Sequence, residues 1–281
     1  MLPNAFIIGA AKCGTTSLWV YLAQHPEVAV SRDKEPALFV HDDYRDRLEW
    51  YESLFDPAPI RAEASVQYTM HPVFRGVPER IHNLVPDAKL IYMVRDPVDR
   101  AISHYVEYVA HRYEDRPIGE ALGDPDETRN QYIVASRYAT QAKRYLDRFP
   151  RSSLMIVDQA ELREDPAETL SRIFRFLSVD DGFSVPRVEV KVSDQRRRLG
   201  PLGERVRDQT MTQAALRGIA RVLPPPTATR VVGVLKRPFS GPRIERPRLD
   251  PAQLDELRAG FRPEANWLRE YTGNPLSSWS C

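Results

Sequence analysis

Short apolar runs alternate along the chain with segments of helical periodicity. Ala5–Ile8 is one such run, closed by Gly9, and predicts a buried strand. Thr15–Gln24 then carries Leu18, Trp19 and Leu22 at helical spacing and stops at His25 and Pro26. Leu90–Val94 predicts a second buried strand. It runs into Asp96 and Pro97, which suit the N-cap and N1 positions of a helix reaching Ala110. Further on, Ser136–Arg148 reads as helix, Leu154–Val157 as strand, and Asp165–Glu168 as a capping-box-like start of a helix ending at Leu177. Strands that alternate with helices predict an α/β fold in three layers, a central parallel sheet flanked by helices on both faces.

Beyond residue 182 the pattern changes. Arg187–Arg198 is polar and basic, and Leu202–Leu223 predicts a helix broken by Pro224, Pro225 and Pro226. A linker leads to two short helices, near Pro251–Phe261 and Pro263–Tyr271. The expectation is one domain over residues 1–281. Residues 1–181 form its α/β core, and 182–281 add a basic loop and a helical C-terminal extension packed on it.

Composition narrows the function without naming it. Forty Lys and Arg against thirty-nine Asp and Glu leave a net charge of +1, which speaks against a general nucleic-acid binder but leaves room for a local anion site. The two cysteines, Cys13 and Cys281, imply no disulfide framework. The segment Met1–Gly9 lacks the basic start of a signal peptide, and no stretch approaches the ~18 apolar residues of a membrane span. A soluble protein of a reducing cytoplasm is expected.

Candidate chemistry begins between the first strand and the first helix. Residues 9–17 read Gly-Ala-Ala-Lys-Cys-Gly-Thr-Thr-Ser. Small residues let backbone N–H groups approach an anion, the helix N-terminus adds partial positive charge, and Lys12 adds a full one. Thr15, Thr16 and Ser17 supply hydroxyl donors. The segment is P-loop-like but not a Walker A motif: Thr15 stands where that motif has its lysine, and the lysine has moved to position 12. A phosphatase loop with Cys13 as nucleophile would want an arginine six residues on, where this chain has Trp19.

Gly-x-x-Lys-x-Gly-Thr-Thr after a first strand resembles the 5′-phosphosulfate loop of sulfotransferases that use 3′-phosphoadenylyl sulfate (PAPS), in the branch of the heparan sulfate enzymes and their bacterial relatives. Leu90–Tyr105, with Arg95 and Ser103, is similar to the family's 3′-phosphate-binding strand and helix. Lys34–Phe39 resembles the segment carrying a catalytic carboxylate, and Ala62–Tyr68 a substrate-side segment. Ser136–Tyr138 with Tyr145 and Leu146 resembles a helix beside the cleft, and Leu276–Trp279 a bacterial terminal segment. Two departures stand out. Ala64 replaces a lysine of many relatives, and Ser193–Arg198 occupies the place of the family's late phosphate-binding loop.

The resemblance implies a nucleotide with two anionic ends. The 5′ end would lie on Lys12, Cys13, Gly14, Thr15, Thr16 and Ser17, the 3′-phosphate on Arg95 and Ser103. Arg196, Arg197 and Arg198 form either a lid over the nucleotide or a solvated basic turn. In-line displacement would build charge on the bridging oxygen, which Lys12 is placed to stabilise, and Glu35 would take the acceptor's proton. Glu63 is the competing carboxylate, read as supporting the base or orienting the acceptor, with Ser65 on the same substrate side. Such a scheme needs no metal, and the sequence shows no ligand cluster. The acceptor would be a sugar, glycolipid or small natural product. The family's cytosolic branch uses a histidine base instead; His41 and His104 come closest to the motifs here, and each reads as a packed or surface residue. Trp50, Tyr51, Phe55 and Tyr68 line an acceptor pocket or pack a core. Two other functions stay open: a P-loop kinase or hydrolase with Asp96 as its Walker B acid, and a relative that binds nucleotide without catalysis.

Overall fold

The structure, a computed structural model, describes residues 1–123, 130–186, 197–199 and 240–281, the strand at 197–199 by its backbone alone. Arg196 and the helix expected over Leu202–Leu223 lie outside the described residues. The chain divides into two compact units. One comprises Met1–His104, Leu122–Val190 and Leu249–Cys281, the other Tyr105–Ala121 and Lys191–Arg248.

The first unit is built on five parallel strands, β1 (Ala5–Gly9), β2 (Val28–Val30), β3 (Ile60–Ala64), β4 (Lys89–Val94) and β5 (Leu154–Asp158), in the order β2-β3-β1-β4-β5. All five residues of β1 and the last five of β4 are buried, as expected of inner strands covered on both faces. From β1 the chain turns to the β3 side of the sheet, and only β4 and β5 lie on the other. The topological switch therefore falls between β1 and β4, the position where open α/β sheets bind ligands at their carboxyl ends.

The helices with described residues are α1 (Thr15–Leu22), α2 (Leu48–Glu52), α3 (Val77–Leu84), α4 (Pro97–Ala110), α5 (Ile118–Leu122), α6 (Gln131–Val134), α7 (Tyr138–Leu146), α8 (Gln159–Glu164), α9 (Pro166–Leu177) and α10 (Pro251–Thr272). Asp96 caps α4 as expected, its Oδ1 accepting from Asp99 N at 2.8 Å. Asp165 does the same for α9 through Glu168 N at 3.1 Å. The C-terminal pair of helices is instead one 22-residue helix with Pro263 inside it. Leu257, Phe261, Ala265 and Leu268 keep a continuous buried stripe across the proline. Packing that whole face outweighs the lost hydrogen bond, which costs about 3 kcal/mol in an unsupported helix.

Phe39 centres an aromatic cluster, with the rings of Phe6, Tyr51 and Tyr68 between 5.7 and 6.0 Å away. Tyr51, Phe55 and Tyr68 are thus core residues rather than pocket walls, while Trp50 is exposed. In the second unit, β6 (Arg197–Leu199) pairs antiparallel with β7 (Ser240–Arg243). Among the described residues, no helix is long and apolar enough to cross a membrane.

Candidate active site

Two chain segments leave the carboxyl edge of the sheet side by side. Gly9 is in register with Tyr92, and Ala10 N donates to Met93 O at 2.7 Å, so the loop after β1 starts level with the end of β4. Gly9 can only be glycine: an added Cβ would lie 2.0 Å from Thr69 Oγ1. Lys12 and Gly14 both take left-handed backbone angles, φ 72° and 85°. Turns of this kind aim successive N–H groups at a common point. Gly14 also starts α1, whose N-terminus carries no side-chain cap. The donors of its first turn, Thr15, Thr16 and Ser17, are therefore left without a side-chain acceptor of their own. Thr15 is buried, Thr16 exposed and Ser17 half-buried.

Cys13 sits beneath this turn, fully buried, its Sγ 3.5 Å from Tyr138 Oη. Burial pushes its thiol up to about 11, which removes it as a nucleophile at neutral pH. Tyr138 also donates to Arg95 O at 2.8 Å, so one tyrosine braces both segments.

Arg95 follows β4 and is largely buried, paired with Asp99 at 3.1 Å one helical turn on. Ser103, on α4, is 6% exposed, and its Oγ has no hydrogen-bond partner. A buried hydroxyl without a partner is costly. A bound phosphate oxygen would satisfy it.

Between them stands a residue that sequence reasoning passed over. Arg100 is completely buried. Its Nε donates to Ser136 Oγ at 2.5 Å, one Nη to Ala11 O at 3.4 Å, the other to Tyr132 O, and it meets His104 Nδ1 at 3.3 Å. Ser136 in turn donates to Pro97 O at 2.8 Å. The available signal was a polar trio, Arg100, Ser103 and His104, at i, i+3 and i+4 among apolar α4 positions. His104 is buried against Tyr132, and desolvation, then Arg100 and Lys12, hold its pKa well below the usual range. It is a packed neutral ring, not the alternative base.

The third segment is the turn after β2 that carries Glu35, bonded to the end of β3. Glu35 N donates to Ala64 O at 3.0 Å, and Glu35 has φ 62°. Its carboxylate, about one third exposed, is ion-paired with Lys34. Ser65 Oγ accepts from Ala37 N at 3.0 Å and donates to Glu63 Oε1 at 2.6 Å. Glu63 and Ser65 are both fully buried, and through Ser65 they brace the turn that carries Glu35. Burial drives the Glu63 carboxyl up to about 7, against the opposing bond from Ser65. Arg197 and Arg198 open β6, and their side chains, like Arg196, lie outside the described residues.

Residues 2–189 match the family model described as the sulfotransferase domain. The chain belongs to the sulfotransferase family. It is 31% identical over 196 residues to mouse bifunctional heparan sulfate N-deacetylase/N-sulfotransferase 4, covering 63% of this chain and 22% of that one. Mouse heparan sulfate glucosamine 3-O-sulfotransferase 3B1 is 35% identical over 185 residues, covering 63% of this chain and 46% of the relative. The chain thus spans less than half of the length of either. A solved sulfotransferase from Alicyclobacillus acidocaldarius matches over 100% of both chains, with a TM-score of 0.69 and 26% identity. In this member of the family, the loop, the Arg95 segment and the Glu35 turn lie along one sheet edge.

Proposed function

We propose that the chain transfers a sulfuryl group from PAPS to an acceptor hydroxyl or amine, releasing adenosine 3′,5′-bisphosphate. The observation that carries this is the adjacency of β1 and β4 at the switch point, which sets two anion-suited segments along one crevice. The donor set fits such a ligand: an uncapped helix start, a lysine, a largely buried arginine and an orphaned serine hydroxyl. The Lys12–Ser17 turn would hold the 5′ end, and Arg95 with Ser103 the 3′-phosphate. Bound PAPS supplies the activated sulfuryl group. Lys12 offsets the charge that develops on the bridging oxygen, and Glu35 accepts the acceptor's proton at its carboxylate.

Family membership favours sulfuryl transfer over the kinase reading, in which Asp96 would be a metal-binding acid. Asp96 is instead engaged in capping α4 and accepting from Ser280 N at 2.5 Å. The likeness to heparan sulfate enzymes favours a carbohydrate acceptor within the expected range of a sugar, glycolipid or small natural product. Both cysteines are free, which suits the expected cytoplasmic setting. Thermal-shift titration tests the donor: adenosine 3′,5′-bisphosphate should stabilise the protein without metal, and a preference for Mg-ATP would overturn the proposal. Mass spectrometry of small-molecule extracts incubated with enzyme and PAPS, searching for added sulfate mass, identifies the acceptor.

A further inference from the structure

Among the described residues, Arg100 is a charge without a counter-charge. Its hydrogen-bonding partners among the described residues, Ser136 Oγ, Ala11 O, Tyr132 O and His104 Nδ1, are neutral. The ionisable groups acting on it are Tyr138, Cys13 and Tyr92, whose protons burial retains, and Arg95, a second cation. Enclosing a guanidinium in this way costs several kcal/mol, and fixed dipoles offset that only in part. A residue whose sole task was packing would not need the charge.

Its placement indicates the task. Arg100 draws the Ala11 carbonyl inward, and across a trans peptide plane the N–H of Lys12 then points the opposite way, out of the core. The same guanidinium grips Ser136, which is bonded to Pro97 O at the start of α4, so the loop after β1 and the helix after β4 are held by one side chain. Lys12 and Arg100 both depress His104, and Arg95 and Arg100 both act on Cys13. Three cations therefore cluster around the turn, and Arg95 has an acidic partner beside it, Asp99.

We infer that Arg100 is a positioning residue for the donor: it aims the Lys12–Ser17 turn outward and lends it an unneutralised buried charge, which the 5′-anionic end of the nucleotide completes. This rests on the proposal that the turn holds that end. The charge works through the loop and is shielded from solvent ions, so it should favour a ligand carrying a 5′-anion over one lacking it.

The test compares adenosine 3′,5′-bisphosphate with adenosine 3′-monophosphate by calorimetry, in wild type, Arg100→Gln and Arg100→Lys, with folding checked by circular dichroism. Wild type should favour the bisphosphate. Arg100→Gln should lower that preference by on the order of tenfold while the 3′-monophosphate affinity changes little. Arg100→Lys, which keeps the charge but not the fork, should fall between, losing about threefold. A preference held within twofold by Arg100→Gln overturns the inference, as does an Arg100→Lys loss equal to that of Arg100→Gln. Should the glutamine variant not fold, an unchanged preference in Arg100→Lys overturns it. Failure of wild type to bind either ligand would instead count against the donor assignment itself.

Discussion

The β1/β4 half of the sheet edge and the β3 half are built by opposite means. Around β1 and β4 the charges are enclosed: Arg100 is fully buried, Arg95 largely so, and Ser103 waits without a partner. Around the ends of β2 and β3 the order is reversed. Glu63 and Ser65 are sealed inside and serve as braces, while Glu35 is raised on a left-handed turn into partial solvent beside Lys34. A buried polar frame holds its geometry at the cost of desolvation, which suits one invariant donor. A partly solvated carboxylate is reachable from outside, which suits the proposed role toward varied acceptors. On the proposed function, the donor half would be pre-formed and the acceptor half supported from beneath.

The sharpest way to break this contrast is to remove one chemical group from each half. Lys12→Ala and Glu35→Gln should each lower transfer by about a hundredfold or more. Glu35→Gln should leave bisphosphate binding nearly unchanged by calorimetry, because it belongs to the other half. Near wild-type turnover in Glu35→Gln would remove it as the base.

Next in size is the brace. Glu63 titrates at about 7 when folded and near 4.5 when exposed, so between those values the native state holds a proton that the unfolded chain has lost. Stability should therefore fall as pH rises through that window and level off above it. Glu63→Gln should be free of this slope and gain about 2 kcal/mol over wild type between pH 5 and 8. Parallel pH profiles in denaturant melts would show that Glu63 is not buried as described. Arg95→Ala should weaken bisphosphate binding by about tenfold, more at low salt than at high. Ser103→Ala should cost about threefold in the same titration and slightly raise the thermal midpoint of the free protein, since it deletes an orphaned hydroxyl.

Much of this site was legible along the chain. The strands at Ala5–Ile8, Leu90–Val94 and Leu154–Val157 announced themselves as apolar runs, and the caps at Asp96 and Asp165 stood where the helices begin. The strand Ile60–Ala64 did not, because Arg61 and Glu63 interrupt its apolar pattern, and Val28–Val30 is too short to register. Pro263 read as a break because the buried stripe that carries α10 through it is a property of packing.

Residue identity was enough to place a lysine and hydroxyls in a glycine-bearing turn, an arginine after a buried strand and a glutamate after Lys34, since such patterns are local. The pairing of β1 with β4 was not readable, because parallel neighbours are joined through distant chain and no short window encodes them. Nor could the burial of Arg100, Glu63 and Ser65 be read, since whether a polar side chain meets water or the interior depends on which elements close over it.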